Sequence, residues 1–170
     1  TYIYDMKKKL YIIGGTMGVG KTAVCKRLNE ILPNSVFLDG DWCWYADPFT
    51  VNEETKKMVL ENICFLLNQF LDCICYENIL FCWVMHEQGI IDDILHRIKK
   101  DNCEIKTISL ICEAQTLRER LEKDILSGSR EGDIIGRSIA RLPLYDCLDT
   151  IKIITDSRSI ESIAGEIAEL

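Results

Sequence analysis

The chain has 170 residues, 48% of them hydrophobic and 28% charged, with a formal net charge of -7 and a pI near 4.9. That balance argues against a general nucleic-acid binder, which needs a basic face, and against an electrostatic anchor on anionic membrane. No apolar run approaches the roughly 20 residues that span a bilayer and no secretory signal pattern is read, so the expectation is one cytoplasmic domain over residues 1–170. Nine cysteines, an odd number without a C-x-x-C pair, read as structural thiols of a reducing compartment and not as a disulfide framework or zinc site.

Apolar runs alternate with amphipathic stretches along the chain, the pattern of an α/β fold built on a parallel sheet. Met6 directly precedes a lysine run and the first strand, which sets residues 1–5 apart as a lead-in. Leu10–Ile13 reads as strand one, followed by a glycine-rich loop and a helix from about Lys21 to Leu32, stopped by Pro33. Val36–Leu38 is strand two. Val59, Ile63, Leu66, Leu67, Phe70 and Leu71 recur at helical spacing and predict a long helix over Glu53–Cys73. Ile79–Met85 reads as a buried third strand, and Ile90, Ile91, Ile94, Leu95 and Ile98 mark the next helix. Ile105–Cys112 is strand four, with Leu117, Leu121 and Ile125 on the helix behind it. The stretch SGSREGD, 127–133, breaks the pattern as a surface loop would. A short helix over Ile134–Leu142 ends before Pro143, Ile151–Ile154 makes strand five, and a closing helix covers Ile160–Leu170.

The loop between strand one and its helix carries the first chemical signal. Gly15-Thr16-Met17-Gly18-Val19-Gly20-Lys21-Thr22 matches G-x-x-x-x-G-K-[ST] in full, in the strand-loop-helix setting the motif requires. Glycines let successive backbone N–H groups turn inward around phosphate oxygens, and the helix aims the positive end of its dipole at the same place. The backbone of Gly15, Met17, Gly18, Val19 and Gly20 is thus expected to cradle the phosphates of ATP. Lys21 should reach the β and γ phosphates, and the Thr22 hydroxyl should ligate Mg²⁺.

A second signal follows strand two, in FLDGDWCWYADPF, 37–49. In a parallel sheet the carboxyl ends of strands one and two open on one edge, so Asp39 and Asp41 should stand beside the γ phosphate. One carboxylate can hold a metal-bound water, the role expected of Asp39, and the other can orient or deprotonate an acceptor hydroxyl, the role expected of Asp41 with Asp39 as the alternative. The glycine loop with FLDGD two elements later resembles the small P-loop kinases of the shikimate and gluconate kinase-like branch, and adenylylsulfate kinases share the D-G-D. The likeness in order and spacing runs the length of the chain, although only these two motifs are specific. It implies a three-layer P-loop NTPase fold with a five-stranded parallel sheet flanked by helices. It also implies Lys21 and Thr22 serving ATP and Mg²⁺, and Asp39 and Asp41 facing a small-molecule acceptor. The chain departs from gluconate kinases, which follow D-G-D with a histidine-bearing stretch, in having Trp42, Trp44 and Tyr45. It departs from shikimate kinases, glycine-rich after strand three, in reading MHEQG there.

Arginine distribution supplies the third signal. None of the eight lies between Arg27 and Arg97, while five fall from Arg118 to Arg141. Guanidinium forks suit phosphate oxygens, so Arg120 and Arg137, flanking the glycine-rich break, are expected on a lid over residues 127–141 that closes on ATP. An acceptor segment over about 40–75, poor in basic residues and rich in aromatics, is expected to take a neutral or cationic acceptor with a ring or apolar face. His86 and Glu87, at the end of strand three, are weaker candidates for that pocket. The leading expectation is therefore an ATP-dependent kinase acting on a small-molecule hydroxyl, with neither nucleic acid nor membrane as partner. A nucleoside or nucleotide kinase and a regulatory ATP-binding protein stand as alternatives.

Overall fold

The computed structural model describes residues 7–130 and 133–170. The lead-in at residues 1–5 lies outside them, as do residues 131 and 132 of the expected loop. The elements, in chain order, are β1 (Lys8–Gly14), α1 (Lys21–Ile31), β2 (Ser35–Asp39), a 3₁₀ segment (Gly40–Trp44), α2 (Glu53–Asp72) and β3 (Asn78–Trp83). There follow α3 (Gln88–Arg97), β4 (Cys103–Ile111), α4 (Ala114–Leu126), α5 (Ile134–Asp146), β5 (Ile151–Ile154) and α6 (Ile160–Ala168).

The five strands form one sheet in the order β2-β3-β1-β4-β5, and every pairing is parallel. Side chains alternate across a strand, so β1 feeds two cores at once. Leu10 and Ile12 face one side with Val59, Ile63 and Leu67 of α2, Ile91 and Ile94 of α3, and Tyr145 of α5. Tyr11 and Ile13 face the other with Val24, Cys25 and Leu28 of α1 and Ile163, Ala164 and Ile167 of α6. Three layers result, as the alternation of runs predicts. Burial on both faces explains why β1 and β3 read as continuous apolar runs and not as alternating ones.

Two boundaries differ from the sequence reading for identifiable reasons. Strand three ends at Trp83, short of Met85, because its neighbours end there too: Gly14 is the last partner from β1 and Asp39 the last from β2. Helix α5 runs through Pro143 to Asp146 instead of stopping before the proline. The ring removes one backbone donor near the helix end, and burial of Tyr145 and Leu148 in the core holds the last turn in place. Among the described residues no helix is long and apolar enough to cross a membrane.

The strand order fixes where a ligand can bind. From β1 the chain leaves toward β2, on one side of the sheet, and from β3 it returns past β1 to β4 on the other. The carboxyl ends of β1 and β3 thus flank a topological switch point, where a crevice opens in sheets of this kind. The glycine loop follows β1, and residues 84–87 follow β3.

Candidate active site

Helix α1 is entered from Gly20, its N-cap, which has φ +104° and offers no side-chain cap. The N–H groups of its first turn are therefore open to an external acceptor, the arrangement an anion needs. Gly18 has φ +85°, and a Cβ there would fall 2.7 Å from a methyl of Leu121 on α4. The loop is thus pressed beneath α4, and Met17 joins the small apolar cluster of Leu117, Leu121 and Ile134. The Lys21 ammonium donates to the Thr16 carbonyl at 2.9 Å, bridging the loop that it follows. Burial pushes its pKa below the usual lysine value, while Cys82, Asp41 and Asp39 oppose the shift. A phosphate arriving in the loop would restore the charge that burial disfavours.

Asp39, at the end of β2, is 6% exposed and spends both oxygens on protein donors. Its Oδ2 accepts the Thr22 hydroxyl at 2.7 Å, and its Oδ1 accepts the Asp41 N–H at 3.0 Å, capping the 3₁₀ segment. Gly40 between them lies against Trp83, for a Cβ at that position would be 2.5 Å from the indole Cγ. The Asn62 side chain, from α2, donates to the Cys43 carbonyl at 2.9 Å and ties the segment to its outer support. Asp-Gly-Asp is thereby a fixed corner. Burial holds the Asp41 carboxyl above the ordinary carboxylate range, the nearby Asp39 charge raises it further, and Lys21 and a hydrogen bond from Trp83 pull it back.

Two cavities meet at this corner. One, of about 400 Å³, is lined by Gly18, Lys21, Thr22, Asp39, Arg120 and Arg130. The other, of about 550 Å³, is lined by Trp44, Phe49, Trp83, His86, Arg137 and Arg141. Among the described residues, only Met17 and Asp41 line both. Glycine-loop, acidic and lid residues thus line two cavities that adjoin at Met17 and Asp41.

The arginines divide differently from the sequence expectation. Arg120 reaches the loop, but through protein acceptors: it donates to the Val19 carbonyl at 3.3 Å, to the Thr155 hydroxyl at 3.0 Å and to the Thr155 carbonyl at 3.1 Å. Arg130 faces the glycine-loop cavity and pairs with Asp124 at 2.9 Å. Arg137, expected over the nucleotide, lines the other cavity together with Arg141. The acceptor side is therefore not poor in arginine, and the ground for expecting a neutral or cationic acceptor is removed. Residues 39–96 supply none, but α5 brings two from far along the sequence. His86 and Glu87 do line that cavity, with His86 Nε2 3.4 Å from the Glu87 carboxylate. Burial first, and then Arg141, lower the His86 pKa, and its Nδ1 is buried without a hydrogen-bond partner.

Sequence reasoning missed Thr155, Trp83 and Phe49. Thr155 is a polar residue directly after strand five, 1% exposed, and its position at a carboxyl strand end was the available signal. Trp83 and Phe49 sit in apolar surroundings that read equally well as core.

A family model described as "AAA domain" matches residues 12–136. Among solved structures the chain is similar to a tunicamycin resistance protein from Deinococcus radiodurans, at 18% identity and a TM-score of 0.73, covering 95% of this chain and 94% of that one. It is similar to a gluconokinase from Sinorhizobium meliloti 1021, at 14% identity and a TM-score of 0.66, covering 95% and 89%. It is also similar to a shikimate kinase from Acinetobacter baumannii, solved with shikimate, at 19% identity and a TM-score of 0.62, covering 98% and 93%. At such identities the likeness is one of fold, an α/β P-loop NTPase-like architecture. No curated protein matches the chain in sequence.

Proposed function

The chain belongs to the AAA-domain family, and on that footing we propose that it is an ATP-dependent kinase that phosphorylates a hydroxyl of a small molecule. The observation that carries this reading is the position of Asp41, which lines both the glycine-loop cavity and the aromatic one. A carboxylate at that junction stands where a donor phosphate and an acceptor hydroxyl would meet.

Each residue then has a task. The loop from Gly15 to Thr22 receives the phosphates, and Lys21 exchanges the Thr16 carbonyl for phosphate oxygens. Thr22 and Asp39 offer hard oxygen donors side by side, which fits a Mg²⁺ that takes one or two protein ligands and completes its shell with phosphate and water. When bound, the ion neutralises charge on the transferred group. Asp41 accepts the acceptor's hydroxyl proton as that oxygen bonds to the γ-phosphorus and the bond to the β–γ bridging oxygen breaks. ADP leaves, and the proton passes to solvent. Arg120 holds the loop in shape through Val19, and Arg130 exchanges Asp124 for phosphate oxygens. A raised pKa makes Asp41 a stronger base than an ordinary carboxylate, whereas Asp39 is already committed to its two donors.

The test is a thermal-shift and turnover pair. Mg²⁺-ATP raises the melting temperature, Lys21→Met abolishes the rise, and a coupled ADP-release screen over small hydroxyl compounds gives turnover. Absence of a shift at millimolar ATP would overturn the reading. Arg137 and Arg141 give a nucleotide-kinase alternative a specific footing, since a monophosphate brings a dianion. The paired carboxylates at the junction count against it, because the accepting phosphate would lie against Asp41. Turnover confined to nucleoside monophosphates would favour that alternative.

A further inference from the structure

We propose that Trp83 is a positioning residue for proton transfer: its indole N–H holds the Asp41 carboxylate at the junction of the two cavities, against the pull of Lys21. The catalytic consequence rests on the kinase reading; the contact itself does not.

The backbone of Asp41 is set, but that alone does not aim its carboxylate. Its N–H is spent on Asp39 Oδ1 at 3.0 Å, which fixes the 3₁₀ segment and leaves the side chain to rotate. Two charges act on that side chain from the nucleotide side, Lys21 attracting it and Asp39 repelling it. A carboxylate drawn onto Lys21 would stand where phosphate oxygens belong, out of reach of an acceptor hydroxyl. A general base must instead be held within hydrogen-bond reach of the proton it takes. The second cavity, which both Asp41 and Trp83 line, has to supply the restraint.

Trp83 is built to supply it. It is the last residue of β3 and is paired with Gly14 of β1, so the sheet sets its Cα. Its pyrrole edge lies against Gly40, where a Cβ would fall 2.5 Å from Cγ and 2.6 Å from Cδ1. Cδ1 carries the indole nitrogen, and Asp41 is the residue after Gly40, so the N–H emerges beside that carboxylate and donates to it. Trp44 meets the indole edge to face with centroids 5.9 Å apart, and Phe49 braces Trp44 in the same manner at 4.9 Å. Glycine at position 40 thus admits the indole, and the indole aims the carboxylate. An indole N–H only donates and an ionised carboxylate only accepts, so the pairing has one sense and gains strength from the charge. One carboxylate oxygen taken by Trp83 leaves the other for the acceptor hydroxyl.

The test reads the contact and its consequence separately. NMR of the three tryptophan indole N–H groups, without nucleotide, reports the contact. Asp41→Ala should move the Trp83 resonance upfield, further than it moves Trp42 or Trp44, and should speed its exchange with solvent about tenfold. Kinetics report the consequence, with Mg²⁺-ATP and the hydroxyl compound that gives the fastest ADP release in the screen. Trp83→Phe keeps an aromatic ring and removes the donor, so kcat should fall about tenfold with the KM for ATP unchanged. Trp83→His should recover most of that loss, because the imidazole overlays the pyrrole ring and puts Nε2–H in place of the indole N–H. Retention of the Mg²⁺-ATP thermal shift checks that both variants fold; if Trp83→Phe does not, the spectra of the parent and Asp41→Ala still decide. A Trp83 resonance indifferent to Asp41→Ala, parental turnover in Trp83→Phe, or a folded Trp83→His without recovery would overturn the proposal. A Trp83 resonance that answers to Asp41→Ala in a protein that releases no ADP with any hydroxyl compound removes the kinase and leaves the contact.

Discussion

The Thr22 hydroxyl donates to Asp39 across 2.7 Å, joining the first turn of α1 to the end of β2. The two side chains present adjacent oxygens beside the glycine loop. They are the pair through which the nucleotide and its metal would be held. Asp39→Asn keeps the shape but replaces one carboxylate oxygen with a donor. The Mg²⁺ dependence of the ATP-induced thermal shift should weaken by about tenfold or more, as expected when a charged ligand is lost. In the unsubstituted protein, chelation with EDTA should remove most of the same shift.

Asp41→Asn isolates the proton transfer. Loss of a general base costs about 10²–10⁴-fold in rate, so turnover should fall by that order while Mg²⁺-ATP still raises the melting temperature. The stability of the free protein should move the opposite way. The Asp41 pKa is raised above its unfolded value of 3.8, so the folded state binds more protons and loses stability as pH rises from 3.8 through the folded pKa. At neutral pH the neutral asparagine avoids that loss, and the variant should melt higher than the parent. The acid limb of the parent's rate profile should likewise lie above pH 3.8. A lower melting temperature together with undiminished turnover would remove Asp41 from the mechanism.

Thr155 links the end of β4 to the lid side of the site. Its hydroxyl accepts from Arg120 at 3.0 Å and donates to the Ile111 carbonyl at 3.2 Å, and the residue is 1% exposed. Thr155→Val leaves both partners short in a buried place, at a cost of about 1–3 kcal/mol in stability. It should also raise the KM for ATP, since Arg120 then loses one of the contacts that aim it at Val19. Thr155→Ser restores the hydroxyl and should recover the KM. Chemical denaturation and steady-state kinetics on the two variants separate packing from positioning.

Gly18 cannot accept a side chain. At φ +85° and 2.7 Å from Leu121, an alanine is strained in its backbone and blocked in space. Gly18→Ala should abolish the ATP shift. Adding Leu121→Ala removes the steric block and leaves the backbone strain. The double variant should therefore bind ATP only weakly, and it gives up about 2–5 kcal/mol of core packing.

The architecture was legible in the sequence because local signals carry it. Buried strands appear as apolar runs, helices as period-3.6 stripes, and the loop Gly15–Thr22 as a contiguous motif. Asp39 and Asp41 were legible for the same reason, being neighbours that follow a strand. The division of the arginines was not. Whether Arg137 faces nucleotide or acceptor depends on the helical phase of α5 and on its docking against α4 and β4, the latter a contact far apart in sequence. Pro143 misled for a related reason: its local preference to end a helix was outweighed by burial of Tyr145, which no neighbouring residue announces. Thr155 was hidden because its importance comes from Arg120, 35 residues away.

The central claim is transfer at Asp41 from the glycine loop to a hydroxyl in the aromatic cavity. Its most direct test is mass spectrometry of a panel of aromatic and alicyclic hydroxy acids, incubated with the protein and Mg²⁺-ATP. The prediction is that at least one compound gains a single phosphoryl group on its hydroxyl, in step with ADP release, and that Asp41→Asn loses this product while still binding ATP. ADP accumulating with free phosphate alone, at the same rate whether or not an acceptor is present, would contradict it.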